Sequence, residues 1–220
     1  MTQIIINIFL AVALVGLTYK YIELRDLHER EGIPDLTYIE GLSSILDAAE
    51  VYAAAHAREI AKEAETIGRF LGLPESSLVS LRIAALLHDC GQVQIPRELL
   101  KKTHPLSSEE WFLLKTHPLI GEMALRKALP AHDEVPSLVR WHHERWDGTG
   151  YPDHLAGEEI PLGARILAVA DAANAMSQDR PHRPAFNAAR IDTDLEKMAG
   201  LMFDPKIVRA RIEARKLGGS

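Results

Sequence analysis

His142-His143-Glu144-Arg145-Trp146-Asp147-Gly148-Thr149-Gly150-Tyr151-Pro152 is the stretch on which the reading of this chain turns. Adjacent residues leave a helix about 100° apart around its axis, so two neighbouring histidines at a helix end reach different atoms of one polar cluster. The segment that follows cannot continue the helix. Asp147-Gly148 and Gly150-Tyr151-Pro152 impose turns, two of them with the backbone freedom of glycine. Upstream, Ala84-Ala85-Leu86-Leu87-His88-Asp89-Cys90-Gly91 delivers a His-Asp doublet at the end of an apolar helical run. Downstream, Ile166-Leu167-Ala168-Val169-Ala170-Asp171-Ala172-Ala173 carries one carboxylate inside a similar run. Burying an imidazole or a carboxylate is costly unless it is paired or bound to metal. Three such anomalies in one small domain point to a shared site rather than to three separate accommodations. His117, before Pro118, and His56, within a long helical pattern, are the remaining candidates.

Imidazoles and carboxylates together suit Mn, Fe, Zn or Ni. Cys90 is the only cysteine, which excludes an internal disulfide and disfavours an iron–sulfur cluster, and a reducing compartment is the natural reading. Beside the His-Asp doublet, Cys90 reads as a small buried apolar filler rather than a ligand. The net charge of −6 argues against a nucleic-acid polymer bound over a broad surface, since such binders need clustered Lys and Arg. A small phosphate ligand needs only local cations and remains compatible with an acidic protein.

At these residues the chain resembles the HD-GYP domain, a bacterial subgroup of the HD phosphohydrolases. The resemblance rests on His88-Asp89 with Gly91, His117-Pro118, His142-His143-Glu144, Asp147-Gly148 and Gly150-Tyr151-Pro152. It continues collinearly through Ile160-Pro161, Ala164-Arg165-Ile166, Asp171, Asp179-Arg180-Pro181, Arg183 and Phe203-Asp204-Pro205, covering roughly residues 40 to 215. It implies an all-α helical bundle holding a cluster of metal ions, and hydrolysis of the bacterial second messenger cyclic di-GMP to linear pGpG, GMP or both. The resemblance also makes Asp89 the bridging carboxylate, with His88 and Asp171 on one ion and His117, His142 and His143 on the other. His56 matches the histidine that the family places on its preceding helix. Some members carry a carboxylate one turn earlier and hold a third metal; Tyr52 stands there in this chain, so two divalent ions are expected, Fe or Mn first, with Zn or Ni as alternatives. Arg180 and Arg183 match phosphate-contacting basic positions, and Tyr151 is a candidate for the guanine-facing wall.

One departure concerns the catalytic machinery. Where the family pattern has Gly-Lys after the His-Asp doublet, this chain has Gly91-Gln92, which keeps a hydrogen-bond donor and loses a positive charge. Three readings therefore stand: a slowed cyclic di-GMP phosphodiesterase, a weakly active or inactive cyclic di-GMP receptor working through a homodimer or partner signalling proteins, and an HD phosphohydrolase of another cyclic dinucleotide or phosphoester. The tryptophans Trp111, Trp141 and Trp146 read as packing groups, and His28, His104, His132 and His154 as exposed.

The N-terminal part differs in composition. Thr2 to Tyr19 carries no charge, and as a helix would span about 27 Å, just under the hydrocarbon thickness of a bilayer. Lys20, Arg25 and Arg30 all follow it, which predicts a single-pass anchor in the inner membrane with its C-terminal side in the cytoplasm. Residues 1–32 are thus expected to form a membrane-anchor and juxtamembrane helix, and 33–220 the HD-GYP domain. Thr37-Tyr38-Ile39-Glu40 has the form of a capping box opening a helix that carries His56 and runs to about Phe70. Further helices are expected at about 75–90, 107–116, 118–129, 133–144, 161–178, 187–199 and 204–216, and no segment shows the alternation of a strand.

Overall fold

The structure, a computed structural model, describes residues 36–49, 56–179 and 184–218. The hydrophobic N-terminal segment, Tyr52, Arg180 and Arg183 lie outside the described residues. Among the described residues no helix is long and apolar enough to cross a membrane. The chain divides into two units, Met1–Ile39 and Glu40–Ser220, and the architecture below is that of the second.

The described residues are helical, with an isolated bridge between Ala199 and Phe203 and no named strand. The helices are α1 (Leu36–Ala49), α2 (His56–Phe70), α3 (Glu75–Leu87), α4 (Arg97–Leu100), α5 (Ser108–Leu114), α6 (His117–Ala128), α7 (Glu134–Trp141), α8 (Leu162–Ser177), α9 (Ala188–Met198) and α10 (Pro205–Gly218). α1 already includes Leu36, a residue before the cap expected at Thr37. At Ser107 the expected capping box is present: Ser107 Oγ accepts from the Glu110 amide, and Glu110 Oε2 accepts from the Ser107 amide at 2.8 Å. Such a cap contributes about 1 kcal/mol to the helix start.

α2, α3 and α8 form the centre. On α2 the buried residues Ala57, Ile60, Ala61, Ala64, Ile67 and Gly68 recur at helical spacing and are mostly small, so neighbouring helices approach closely. A Cβ on Gly68 would stand 2.7 Å from Leu78 Cδ2, so α3 packs against bare backbone there. α2 ends on Gly72 at φ +76°, where the amides of Gly72 and Leu73 return to Arg69 O and Gly68 O. From Leu81 to Leu87, α3 buries six of its seven residues, and α8 buries seven, Asn174 among them. Both central helices therefore carry their polar residues into low-dielectric surroundings. α7 packs on α3, α6 and α8, while α10 closes α2 from the other side. There Arg211 bridges Glu63 on α2 and Asp192 on α9 through Nε and Nη1 at 2.7 and 2.6 Å.

α3 ends at Leu87, three residues before the expected limit, and the chain tightens into a 3-10 turn at Cys90–Gln94. Packing is the reason. A Cβ on Gly91 would lie 2.0 Å from the His117 carbonyl oxygen, so the turn is pressed against the first turn of α6 and only glycine fits. Two short elements, α4 and a 3-10 turn at Gly157–Glu159, carry no periodic signal in the sequence.

Candidate metal centre

Five of the seven candidate ligands sit where helices end or begin, and the bundle brings those ends together. His88 and Asp89 leave the C-terminus of α3, His117 opens α6, and His142 and His143 follow the last residue of α7. His56 is the first described residue of α2, and Asp171 projects from mid-helix, on α8. Two nests result. Asp89, His117, His142 and His143 offer one ligand atom each, all within 4.8 Å of one another, and so do His56, His88 and Asp171. Ring centroids of His88 and His142 lie 5.3 Å apart, so the nests adjoin. Asp89 faces both: Oδ2 lies 3.3 Å from His88 Nε2, and Oδ1 lies 3.2 Å from His117 Nε2. His56 Nε2 stands 3.7 Å from Asp171 Oδ1.

The backbone sets the tautomers of three of these rings. Nδ1 of His88, His117 and His142 lies 2.9, 2.7 and 2.6 Å from the carbonyl oxygen three residues earlier, on Ala85, Leu114 and Val139. A carbonyl only accepts, so each Nδ1 carries a proton and each Nε2 is turned to the centre. A hydrogen bond from the other ring nitrogen to a backbone carbonyl is the usual way in which a metal-binding histidine is held. His142 Nε2, His117 Nε2 and Asp89 Oδ1 are buried without any hydrogen-bond partner. Two acceptors at 3.2 Å, like Asp89 Oδ1 and His117 Nε2, repel unless a proton or a cation lies between them. The donor set, its convergence and these orphaned atoms all fit divalent metal ions.

Titration behaviour tells the same story. Burial, reinforced by the neighbouring histidines, pushes His142 well below the usual imidazole range, and burial likewise pulls His143 down to about 3. Both rings are neutral at pH 7 and available as ligands. Burial opposes a charge on His88 too, but the Asp89 carboxylate outweighs it and raises His88 to about 10 in the metal-free protein. Asp89 is held well below the carboxylate range because His88 and His117 overcome its own burial. A proton on His88 thus stands in for a cation beside Asp89. Burial, then the charge of Asp89, pushes the Cys90 thiol up to about 12, so it is no thiolate ligand.

The loop after His143 is held by its own constraints. A Cβ on Gly150 would lie 2.4 Å from the Arg145 amide nitrogen, Gly148 takes φ +76°, and the Tyr151–Pro152 peptide is cis. The buried Glu144 accepts the Asp153 amide at 2.7 Å, which returns the loop to α7. Tyr151 is thereby set against His143, ring centroids 4.9 Å apart, with Lys115 Nζ 5.2 Å from its centroid. Burial, followed by the charges of Asp89 and Asp171, raises the Tyr151 hydroxyl above its ordinary value. Gln92 lies half-buried in the turn after Asp89, its backbone N–H donating to the Asp89 carbonyl at 2.8 Å.

Further ion pairs support this centre from behind. Arg140 on α7 pairs with Glu122 on α6 and grips both oxygens of Asp153, which also accepts from Trp141 Nε1 at 2.6 Å. Arg165 Nη1 reaches Asp204 Oδ2 at 2.6 Å, Arg165 Nε donates to the Ile160 carbonyl, and its guanidinium lies 5.7 Å from the Trp146 ring. The Ala-Arg-Ile and Phe-Asp-Pro motifs thus meet in a structural ion pair. Trp141 and Trp146 are half-buried in these contacts, but Trp111 is 47% exposed, against the expectation of a packing role: its seven-residue helix α5 buries none of its residues. His132 is half-buried rather than exposed.

The HD domain family model matches residues 40–207. The chain is 33% identical to the 3'3'-cGAMP-specific phosphodiesterase 2 of Vibrio cholerae over 90% of its length, and 40% identical to the cyclic di-GMP phosphodiesterase response regulator RpfG of Xanthomonas campestris over 66%. It is 31% identical over 81% to a cyclic di-GMP phosphodiesterase of Thermotoga maritima. The chain spans 38%, 39% and 49% of these three relatives' lengths. Among solved structures, a Vibrio cholerae cyclic GMP-AMP-specific phosphodiesterase superposes with a TM-score of 0.63 at 20% identity, over 81% of this chain and 48% of that one. Bd1817, an HDG"Y"P protein of Bdellovibrio bacteriovorus, gives 0.61 at 18%, over 90% of this chain and 64% of that one. Both likenesses concern the fold.

Proposed function

We propose that this chain, which belongs to the HD domain family, is a metal-dependent phosphodiesterase that hydrolyses cyclic di-GMP to linear pGpG, GMP or both. The observation that carries the reading is Asp89, whose two carboxylate oxygens face His88 in one nest and His117 in the other. His56, His88 and Asp171 would hold one ion, His117, His142 and His143 the other, and Asp89 would serve both. Bound there, a metal pair supplies an activated water at neutral pH and electrostatic stabilisation of an in-line displacement at phosphorus.

The rest is done by the chain itself. The Ala85, Leu114 and Val139 carbonyls fix three rings with Nε2 inward, so the donors need no reorganisation on metal uptake. Tyr151 keeps its hydroxyl proton at working pH and can donate it to a substrate oxygen. Gln92 offers an uncharged donor in the turn after Asp89, and Arg180 and Arg183 are proposed phosphate contacts. Membrane attachment through residues 1–32, with the site facing the cytoplasm, would place the enzyme where the messenger is made and consumed.

A second reading takes 3'3'-cGAMP as the substrate, supported by the relative named for that activity at 33% identity. A third, a receptor with little turnover, is supported by Gln92 in place of lysine. Chromatography of products from purified, metal-loaded protein given each dinucleotide separates them. The first reading expects cyclic di-GMP to be consumed faster; faster loss of 3'3'-cGAMP favours the second, and saturable binding with no product the third.

A further inference from the structure

Lys115 is the last residue before the short Thr116-His117 entry into α6, and its side chain is exposed. Its ammonium lies over the ring of Tyr151, whose other neighbour in the cluster is His143. The Tyr151 ring lies 4.9 Å from that of His143, a member of one nest, so the Lys115–Tyr151 pair stands beside that nest. Among the described residues Lys115 has no carboxylate partner, whereas Lys102, Arg140, Arg145 and Arg165 are all committed to ion pairs. An exposed, uncommitted cation held against a rigid aromatic face beside a centre built for phosphate is free to take an anion. Gln92, in the turn after Asp89, carries no charge.

We propose that Lys115 is a substrate-binding residue that contacts a phosphate of the cyclic dinucleotide, supplying from the start of α6 the positive charge that the turn after Asp89 lacks. This rests on the phosphodiesterase reading only for the ligand's class. Lys115 acts on the ground state: it lies beside the nest, and a cation there attracts the dianionic nucleotide before any bond breaks. Its contribution therefore falls mainly on binding and KM, with kcat less changed.

The test uses the full, metal-loaded chain and fluorescently labelled cyclic di-GMP in an equilibrium binding titration, with kcat and KM measured alongside. Lys115→Met should weaken binding about tenfold and flatten its dependence on ionic strength, and Lys115→Arg should recover most of the loss. A residue that merely steadied Tyr151 would leave the salt dependence unchanged. Binding by Lys115→Met equal to that of the unaltered chain, at equal metal content, overturns the proposal while leaving the phosphodiesterase reading intact. Binding that weakens in Lys115→Met and recovers in Lys115→Arg, with no turnover in any form, upholds the contact and removes the enzyme. Absence of binding by the unaltered chain overturns both.

Discussion

Asp89 concentrates the chemistry in one side chain. It is flanked by imidazole nitrogens at 3.3 and 3.2 Å, and in the proposed assignment it would serve both ions. Asp89→Ala should therefore abolish binding of both metals together, and elemental analysis showing either ion at full occupancy would break the assignment. Next to it, His88 holds a proton up to about pH 10 in the metal-free protein because Asp89 outweighs burial. A metal must displace that proton, so uptake at pH 7 should release about one proton from His88, and acidification should drive metal off again. Calorimetric titration in buffers of different ionisation enthalpy measures the release, and none at all would mean that His88 is already neutral. Gln92→Lys restores a charged donor, and charge-assisted hydrogen bonds exceed neutral ones by enough to raise turnover about tenfold if the gain is confined to the transition state. Steady-state rates at equal metal content give the answer, and an unchanged rate would show that this position does not limit turnover.

At the scale of elements, the site is a meeting of helix ends, and its closest contact is between the turn after Asp89 and the start of α6. Gly91→Ala forces a Cβ to within 2.0 Å of a backbone oxygen, which no side-chain rearrangement relieves. It should destabilise the metal-free protein by about 3 kcal/mol and weaken metal binding, because Asp89 and His117 move apart. Thermal unfolding with and without metal measures both, and an unshifted melting temperature would contradict the packing described. The same contact marks what a sequence can and cannot disclose. His88-Asp89 and Asp171 stand out because polar residues interrupt apolar helices, and the Ser107 cap is a local pattern. That Gly91 lies against His117, or that Arg165 meets Asp204 across 39 residues, is long-range geometry with no local signature. Arg140, Glu122 and Asp153 look like ordinary surface charges until α6 and α7 pack. α3 stops short of the expected limit near residue 90 for that reason: tertiary packing against α6 tightens Cys90–Gln94 into a 3-10 turn.

For the whole molecule, the helical core from Glu40 onward is the part that carries the site. Its helical class was legible because apolar spacing near 3.6 runs through α2, and because the family resemblance, roughly residues 40 to 215, includes those of the family match, 40–207. The proposed anchor in residues 1–32 makes a separate claim. Full-length protein should fractionate with membranes and resist carbonate extraction, and a chain starting at Pro34 should be soluble with its metal site retained. Full-length protein in the soluble fraction would remove the anchor without touching the chemistry. The central claim is that two adjoining ligand nests joined by Asp89 make this chain a cyclic dinucleotide hydrolase. Its most direct test is to incubate the purified, Mn- or Fe-loaded protein with cyclic di-GMP, resolve the products by chromatography, and determine bound metal on the same sample. Two ions per chain are expected, with linear pGpG or GMP accumulating. Two bound ions with the dinucleotide left intact would contradict that claim.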